Sequence, residues 1–161
     1  MTKRKTSALI LAAVAAGLGV TAVAAEDAAT PEEVRVQEVE KALVDINLIA
    51  VGQRSFVKCQ ACHMVGENAQ RRVGPPLNGI VGRAAGTNDE FRYSPGMSKA
   101  ATEGLVWTVE KLDAYLKAPR EVAPGTTMGF PGIPKAEERA ALIAYLASFK
   151  EDGSRVDGAP K

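Results

Sequence analysis

Cys59-Gln60-Ala61-Cys62-His63 sets two thiols three positions apart and an imidazole directly after the second. This C-x-x-C-H spacing is the attachment signature of c-type haem. The spacing has a chemical reason. Two thiols so placed can each add to one vinyl group of a single haem, leaving two thioethers. The next residue then lies under the iron and offers a ring nitrogen as proximal ligand. The chain has two cysteines and one histidine, and all three fall in this pentapeptide. A thioredoxin-like dithiol shares the C-x-x-C core but wants a strand-to-helix setting that the flanking residues do not provide. A tetrahedral zinc site of Cys and His needs four such ligands, and the chain has three.

An iron that cycles electrons without binding substrate needs a sixth ligand. No second histidine exists, so methionine is the remaining soft donor. Beyond residue 25 the methionines are Met64, Met97 and Met128. Met64 follows the proximal histidine and cannot reach the opposite face. Met97 sits after Tyr93-Ser94-Pro95-Gly96. Met128 sits in Pro124-Gly125-Thr126-Thr127-Met128-Gly129-Phe130-Pro131, 65 residues after His63. A glycine-and-proline loop between two helices can present a thioether inward. A lone methionine is more often core filler, so spacing favours Met128 and leaves the choice open.

The elements that must position these groups read as helices. Residues 48–58 run as a helix into Cys59. Residues 65–104 read mostly as loop, punctuated by Gly66, Gly74, Pro75, Pro76, Gly79, Gly82, Gly86, Pro95 and Gly96. Helix returns over 107–116 with Thr108 as N-cap, and Pro119 stops it. A second loop spans 121–134. The last helix is expected over 136–150, with Ala140, Ile143, Leu146 and Ala147 on one face and Glu137 and Glu138 in its first turn, as the helix dipole favours. No repeat and no convincing strand pair appears. Aromatic residues make up 5% of the chain, so a large apolar cofactor is expected to fill a core that side chains do not.

Lys3, Arg4 and Lys5 precede an uncharged stretch from Thr6 to Ala25 that ends in small residues. That is the pattern of a secretory signal peptide, with cleavage expected after Ala25 or Ala24. The mature domain then lies outside the cytoplasm, in the periplasm. Retained, the same segment would be a membrane anchor. Residues 26–47 are acidic. Thr30-Pro31-Glu32-Glu33 reads as a helix start, and Val36, Val39, Leu43 and Ile46 form one apolar stripe. The division expected is signal 1–25, acidic helical extension 26–47, haem domain 48–151 and flexible tail 152–161. Beyond residue 25 the chain carries 17 basic and 19 acidic residues, which argues against a globally basic nucleic-acid binder. Residues 51–150 alone carry a balance of +4. Lys58, Arg71, Arg72 and Lys135 could ring an exposed haem edge and suit an acidic partner surface.

With these motifs in order, residues 48–150 resemble the class I c-type cytochromes, the soluble bacterial and mitochondrial cytochromes c. Gly52-x-x-x-Phe56 resembles the family's first helix, whose glycine lets the last helix cross closely. Ala144-Tyr145-Leu146 resembles the crossing partner. Val73-Gly74-Pro75-Pro76-Leu77-x-Gly79-x-x-Gly82-Arg83 is similar to the segment after the haem motif. The resemblance implies an all-α cytochrome c fold, three to five helices around the haem. It implies that the Pro75 carbonyl accepts the His63 ring N–H, and that Arg83, Tyr93 and Trp107 meet a haem propionate. It further implies Tyr115 beside the methionine sulfur, Met128 as iron ligand with His63, and Phe130 at the exposed haem edge. Three departures stand out. The Phe56–Cys59 gap is one residue shorter than in mitochondrial members, Thr127 stands where lysine is frequent, and residues 26–47 have no counterpart in the minimal domain.

The function expected is a single-haem, one-electron carrier between periplasmic or membrane-bound redox proteins, with one haem c on Cys59 and Cys62. It is not an enzyme and takes no small-molecule substrate. The alternatives are a haem enzyme or gas sensor with an open sixth position, and a membrane-tethered cytochrome subunit of a respiratory complex.

Overall fold

The computed structural model describes residues 45–156 and Ala159. The signal segment 1–25 and most of the acidic extension lie outside the described residues. Among the described residues five helices follow in order: α1 over 45–56, α2 Pro95–Thr102, α3 Val109–Lys117, α4 Pro119–Val122 and α5 Ala136–Ala147. Among the described residues there is no strand, only two isolated antiparallel bridges, Ala84–Val106 and Phe149–Arg155. The all-α architecture expected from the sequence is the one observed.

The packing begins where α1 meets α5. Gly52 is buried, and a Cβ built on it would lie 1.9 Å from the Ala141 carbonyl oxygen and 2.7 Å from Tyr145 Cβ. The helices therefore touch backbone to backbone. One turn on, Phe56 packs on Tyr145 at 5.5 Å between ring centroids, and Tyr145 meets Phe149 edge-on at 5.2 Å. Ser55 Oγ donates to Glu138 Oε1 at 3.0 Å, and Lys58 pairs with the same oxygen. These two donors, Lys58 first, hold the Glu138 carboxyl below the usual range.

Thr108 caps α3 by accepting a hydrogen bond from the Lys111 amide at 3.2 Å, as its position before an apolar run suggests. Leu112, Tyr115 and Leu116 form the buried face, and α3 packs on both α4 and α5. Ala118 leaves helical geometry at φ −150°, and Pro119 opens the single turn of α4. Pro119 thus ends one helix and starts another, because a first-turn position needs no amide hydrogen.

Two stretches differ from the sequence expectation. The first is α2, which lies inside the segment read as loop. Ser94 caps it, accepting from the Met97 amide at 3.2 Å, and Pro95 occupies the first turn. Gly96 disguised this helix, since glycine costs about 1 kcal/mol against alanine there. The glycine answers a tertiary demand instead: a Cβ on it would sit 2.2 Å from the Pro124 carbonyl oxygen.

The second is the end of α5, which stops at Ala147 rather than Lys150. The chain then turns back. Val156 N donates to the Ser148 carbonyl at 2.9 Å, and the Arg155 guanidinium lies 4.0 Å above the Phe149 ring and donates to Ser148 Oγ. Residues 152–156, expected within a flexible tail, are packed against α5. Arg155 supplies the reason, since its planar cation covers an aromatic face that would otherwise be wet.

The α1–α5 contact generates a stability prediction. Gly52→Ala should lower the unfolding free energy of the holoprotein by at least about 2 kcal/mol, read from the urea midpoint at unchanged slope.

Candidate functional site

The C-x-x-C-H residues leave α1 as a continuous run of tight turns. Cys59 N bonds to Phe56 O at 2.8 Å, Cys62 N to Cys59 O at 3.0 Å, and His63 N to Cys59 O at 2.8 Å. Those bonds bring both thiols and the imidazole to one side. The two cysteines are half-buried and not joined to each other. Burial pushes the Cys59 thiol above its ordinary pKa, against the pull of Lys58.

His63 Nδ1 lies 2.7 Å from the Pro75 carbonyl oxygen. A carbonyl only accepts, so Nδ1 carries the proton and Nε2 keeps its lone pair for a metal. Burial pushes the His63 pKa down, and the Pro75 contact offsets part of that. The neutral ring, the form that ligates, is therefore favoured. Gly74 makes the arrangement possible. Its amide donates to Cys62 O at 2.9 Å, and a Cβ on it would lie 2.2 Å from His63 Cε1.

Behind this turn lies a cavity of about 390 Å³, within the range of about 300–1,000 Å³ common for cofactor sites. All ten residues singled out from the sequence line it: Cys59, Cys62, His63, Pro75, Arg83, Tyr93, Trp107, Tyr115, Met128 and Phe130. Phe56, Leu77, Ile80, Leu112, Leu142 and Leu146 add apolar wall. Phe130 also borders an outer groove formed by residues 118–121 and 129–131, which sets its ring at the cavity margin.

Tyr115 and Met128 meet in this cavity. The Tyr115 hydroxyl donates to Met128 Sδ at 3.8 Å and lies 3.5 Å from Thr126 Oγ1. Thr126 Oγ1 in turn accepts from the Met128 amide at 3.3 Å. Burial pushes the Tyr115 pKa up, so the phenol stays a donor. Trp107 packs edge-on against Tyr115 at 4.9 Å. Met97 lines the cavity too, but as a buried residue of α2 within the apolar cluster.

The polar groups sit differently. Arg83 Nη1 donates to Asn78 O at 2.8 Å and Nη2 approaches Pro76 O at 3.4 Å, so part of its fork braces the loop after the haem motif. Tyr93 OH accepts from Asn88 N at 3.2 Å, which leaves the phenol proton to donate. Gly74 and Thr126 were missed as site residues in the sequence, although both sit inside runs that were read. Their neighbours Pro75 and Met128 carried the chemistry, and nothing in composition marks a residue that only makes room or accepts an amide.

The donor set fits haem c. Two thiols lie beside a neutral, oriented imidazole, a thioether borders the same cavity, and the walls are apolar. The cytochrome c family profile matches residues 49–150, well over half of the chain, and the protein belongs to that family. It is similar to cytochrome c2 of Afifella marina, 48% identical over 107 residues that cover 66% of this chain and 86% of that one. It is 50% identical over 98 residues to cytochrome c2 of Agrobacterium tumefaciens, covering 61% and 88%. The solved cytochrome c2 of Rhodospirillum centenum superposes with a TM-score of 0.59 at 40% identity, covering 63% of this chain and 98% of that one. The family makes this an electron-transport protein with covalent haem c, and Cys59 and Cys62 are its C-x-x-C-H pair.

Acid-acetone should therefore leave the haem on the polypeptide. Cys62→Ala should lower the yield of mature holoprotein and change the attachment product seen in the intact mass. Haem fully extractable from the wild type would contradict thioether attachment.

Proposed function

We propose that the chain is a single-haem, one-electron carrier of the periplasm, in which His63 and Met128 would hold the iron. The observation that supports it most is the Tyr115–Met128 hydrogen bond inside the cavity that His63 also lines. A methionine that served only as filler would not need a buried hydroxyl at its sulfur. Met97, packed within the apolar cluster of α2, has no such partner among the contacts described.

Bound haem c supplies a one-electron couple between ferrous and ferric iron. The residues of this chain set its conditions. His63 is held neutral and oriented by Pro75. Met128 offers a neutral, soft sulfur, which favours the lower metal charge and so a higher potential. The apolar walls penalise the extra positive charge of the ferric state in the same direction. With both His63 and Met128 holding the iron, no open position would remain for a substrate, which supports an electron carrier over an enzyme.

The signal segment 1–25 addresses the chain to the periplasm, where its partners are other redox proteins. Lys58, Arg71, Arg72 and Lys135 are exposed and suit an acidic docking surface. Lys58 is shared with Glu138 and Arg72 Nη1 donates to Gln60 O, so Arg71 and Lys135 present the freer charges of the four.

Ligation is tested by the ferric optical spectrum. The wild type should show the far-red sulfur-to-iron band. Met128→Ala should abolish it, lower the potential and admit exogenous ligands, while Met97→Ala should keep the band. The reverse pattern would assign the sulfur to Met97.

Docking is tested by salt. Electron-transfer rates with an acidic partner should fall as the Debye length shrinks from about 30 Å at 0.01 M to about 10 Å at 0.1 M. A rate indifferent to salt would point to an apolar contact around Phe130.

A further inference from the structure

Arg139 is the one buried arginine among the described residues, 6% exposed, and no haem chemistry accounts for it. Its fork is almost fully used. Nε donates to Asp113 Oδ1 at 2.7 Å and Nη2 to Asp113 Oδ2 at 3.1 Å, a two-point pair with α3. Nη1 donates to the carbonyls of Ile133 and Pro134, both at 2.9 Å. One guanidinium on α5 thus ties together α3 and the exit of the loop that carries Met128.

Both tied elements reach the thioether. Asp113 lies two residues before Tyr115, whose hydroxyl meets Met128 Sδ. Ile133 lies five residues after Met128, is 1% exposed, and donates its amide to the Leu116 carbonyl at 2.8 Å. The loop is therefore fixed to the C-terminal half of α3 by a backbone bond, and to the same helix a second time through Arg139. Between these anchors and Thr126, residues 127–132 have little freedom to lift away.

We propose that Arg139 is a positioning residue for Met128: by locking α3, α5 and the loop exit in one register, it holds the thioether in the cavity against competing ligands. This rests on the reading that Met128 ligates the iron. Lysine cannot substitute, because its three donors radiate from a single atom and cannot span a carboxylate and two carbonyls.

The test uses the full-chain ferric holoprotein titrated with imidazole, with the far-red band as readout and the urea midpoint measured alongside. Arg139→Lys and Arg139→Met should keep the band without imidazole but bind imidazole on the order of tenfold more tightly. Asp113→Asn loosens the same clamp from α3 and should shift affinity in the same direction. Ile143→Ala, a buried change elsewhere on α5, should lower the urea midpoint while leaving imidazole affinity within about twofold. If Arg139→Met does not fold, Arg139→Lys and Asp113→Asn carry the comparison. Unchanged imidazole affinity in these two variants would overturn the proposal. So would an equal shift in Ile143→Ala, which would reduce Arg139 to general stability. A wild type with no far-red band would overturn the Met128 reading itself, and the proposal with it.

Discussion

The backbone of α1 approaches the Ala141 carbonyl so closely at Gly52 that there is no room for a methyl group. That single approach fixes the axis and depth of α1, and hence the point from which Cys59 to His63 depart. It also fixes which face of α5 remains for other work. Leu142 and Leu146 line the cavity, while Arg139 reaches α3 and the loop beyond it. Helix α3 leans on α5 and brings Tyr115 to the thioether. The cavity is the space left once these contacts are made. Its walls are largely apolar and suit a flat, apolar group, whose contacts would supply their dispersion partners.

Burial then governs the chemistry of each group at the wall. Desolvation pushes the imidazole pKa down and the thiol and phenol pKa values up, so all three rest uncharged. Uncharged groups cost least to hold in an apolar cavity. They are also in the protonation states their roles require: a ring nitrogen with a free lone pair and a hydroxyl that still donates.

The site was legible in the sequence to the extent that its chemistry is covalent or fixed by spacing. Two thiols and an imidazole in one pentapeptide admit few uses, and the structure sets His63 Nδ1 against the Pro75 carbonyl and the Tyr115 hydroxyl against Met128 Sδ. What stayed hidden was held by tertiary contact. Helix α2 carries Gly96 because a loop from elsewhere crosses it, and a local reading sees only a helix breaker. The early end of α5 depends on Arg155 folding back over Phe149, a partnership that no periodicity announces. Arg139 carried no signal in the sequence, because its acceptors come from residues 113, 133 and 134. The methionines divided for the same reason: spacing alone could not say that Met97 would be packed within α2.

Gly52 and its partner Ala141 are separated by most of the domain, and ribosomes build chains from the N-terminus. The thiols and histidine are therefore synthesised long before the helix that completes the wall around them exists. Throughout that interval the nascent chain has a finished attachment sequence and an unfinished enclosure. Closing the wall therefore waits on a contact of long sequence separation, the kind whose loop-closure cost slows folding.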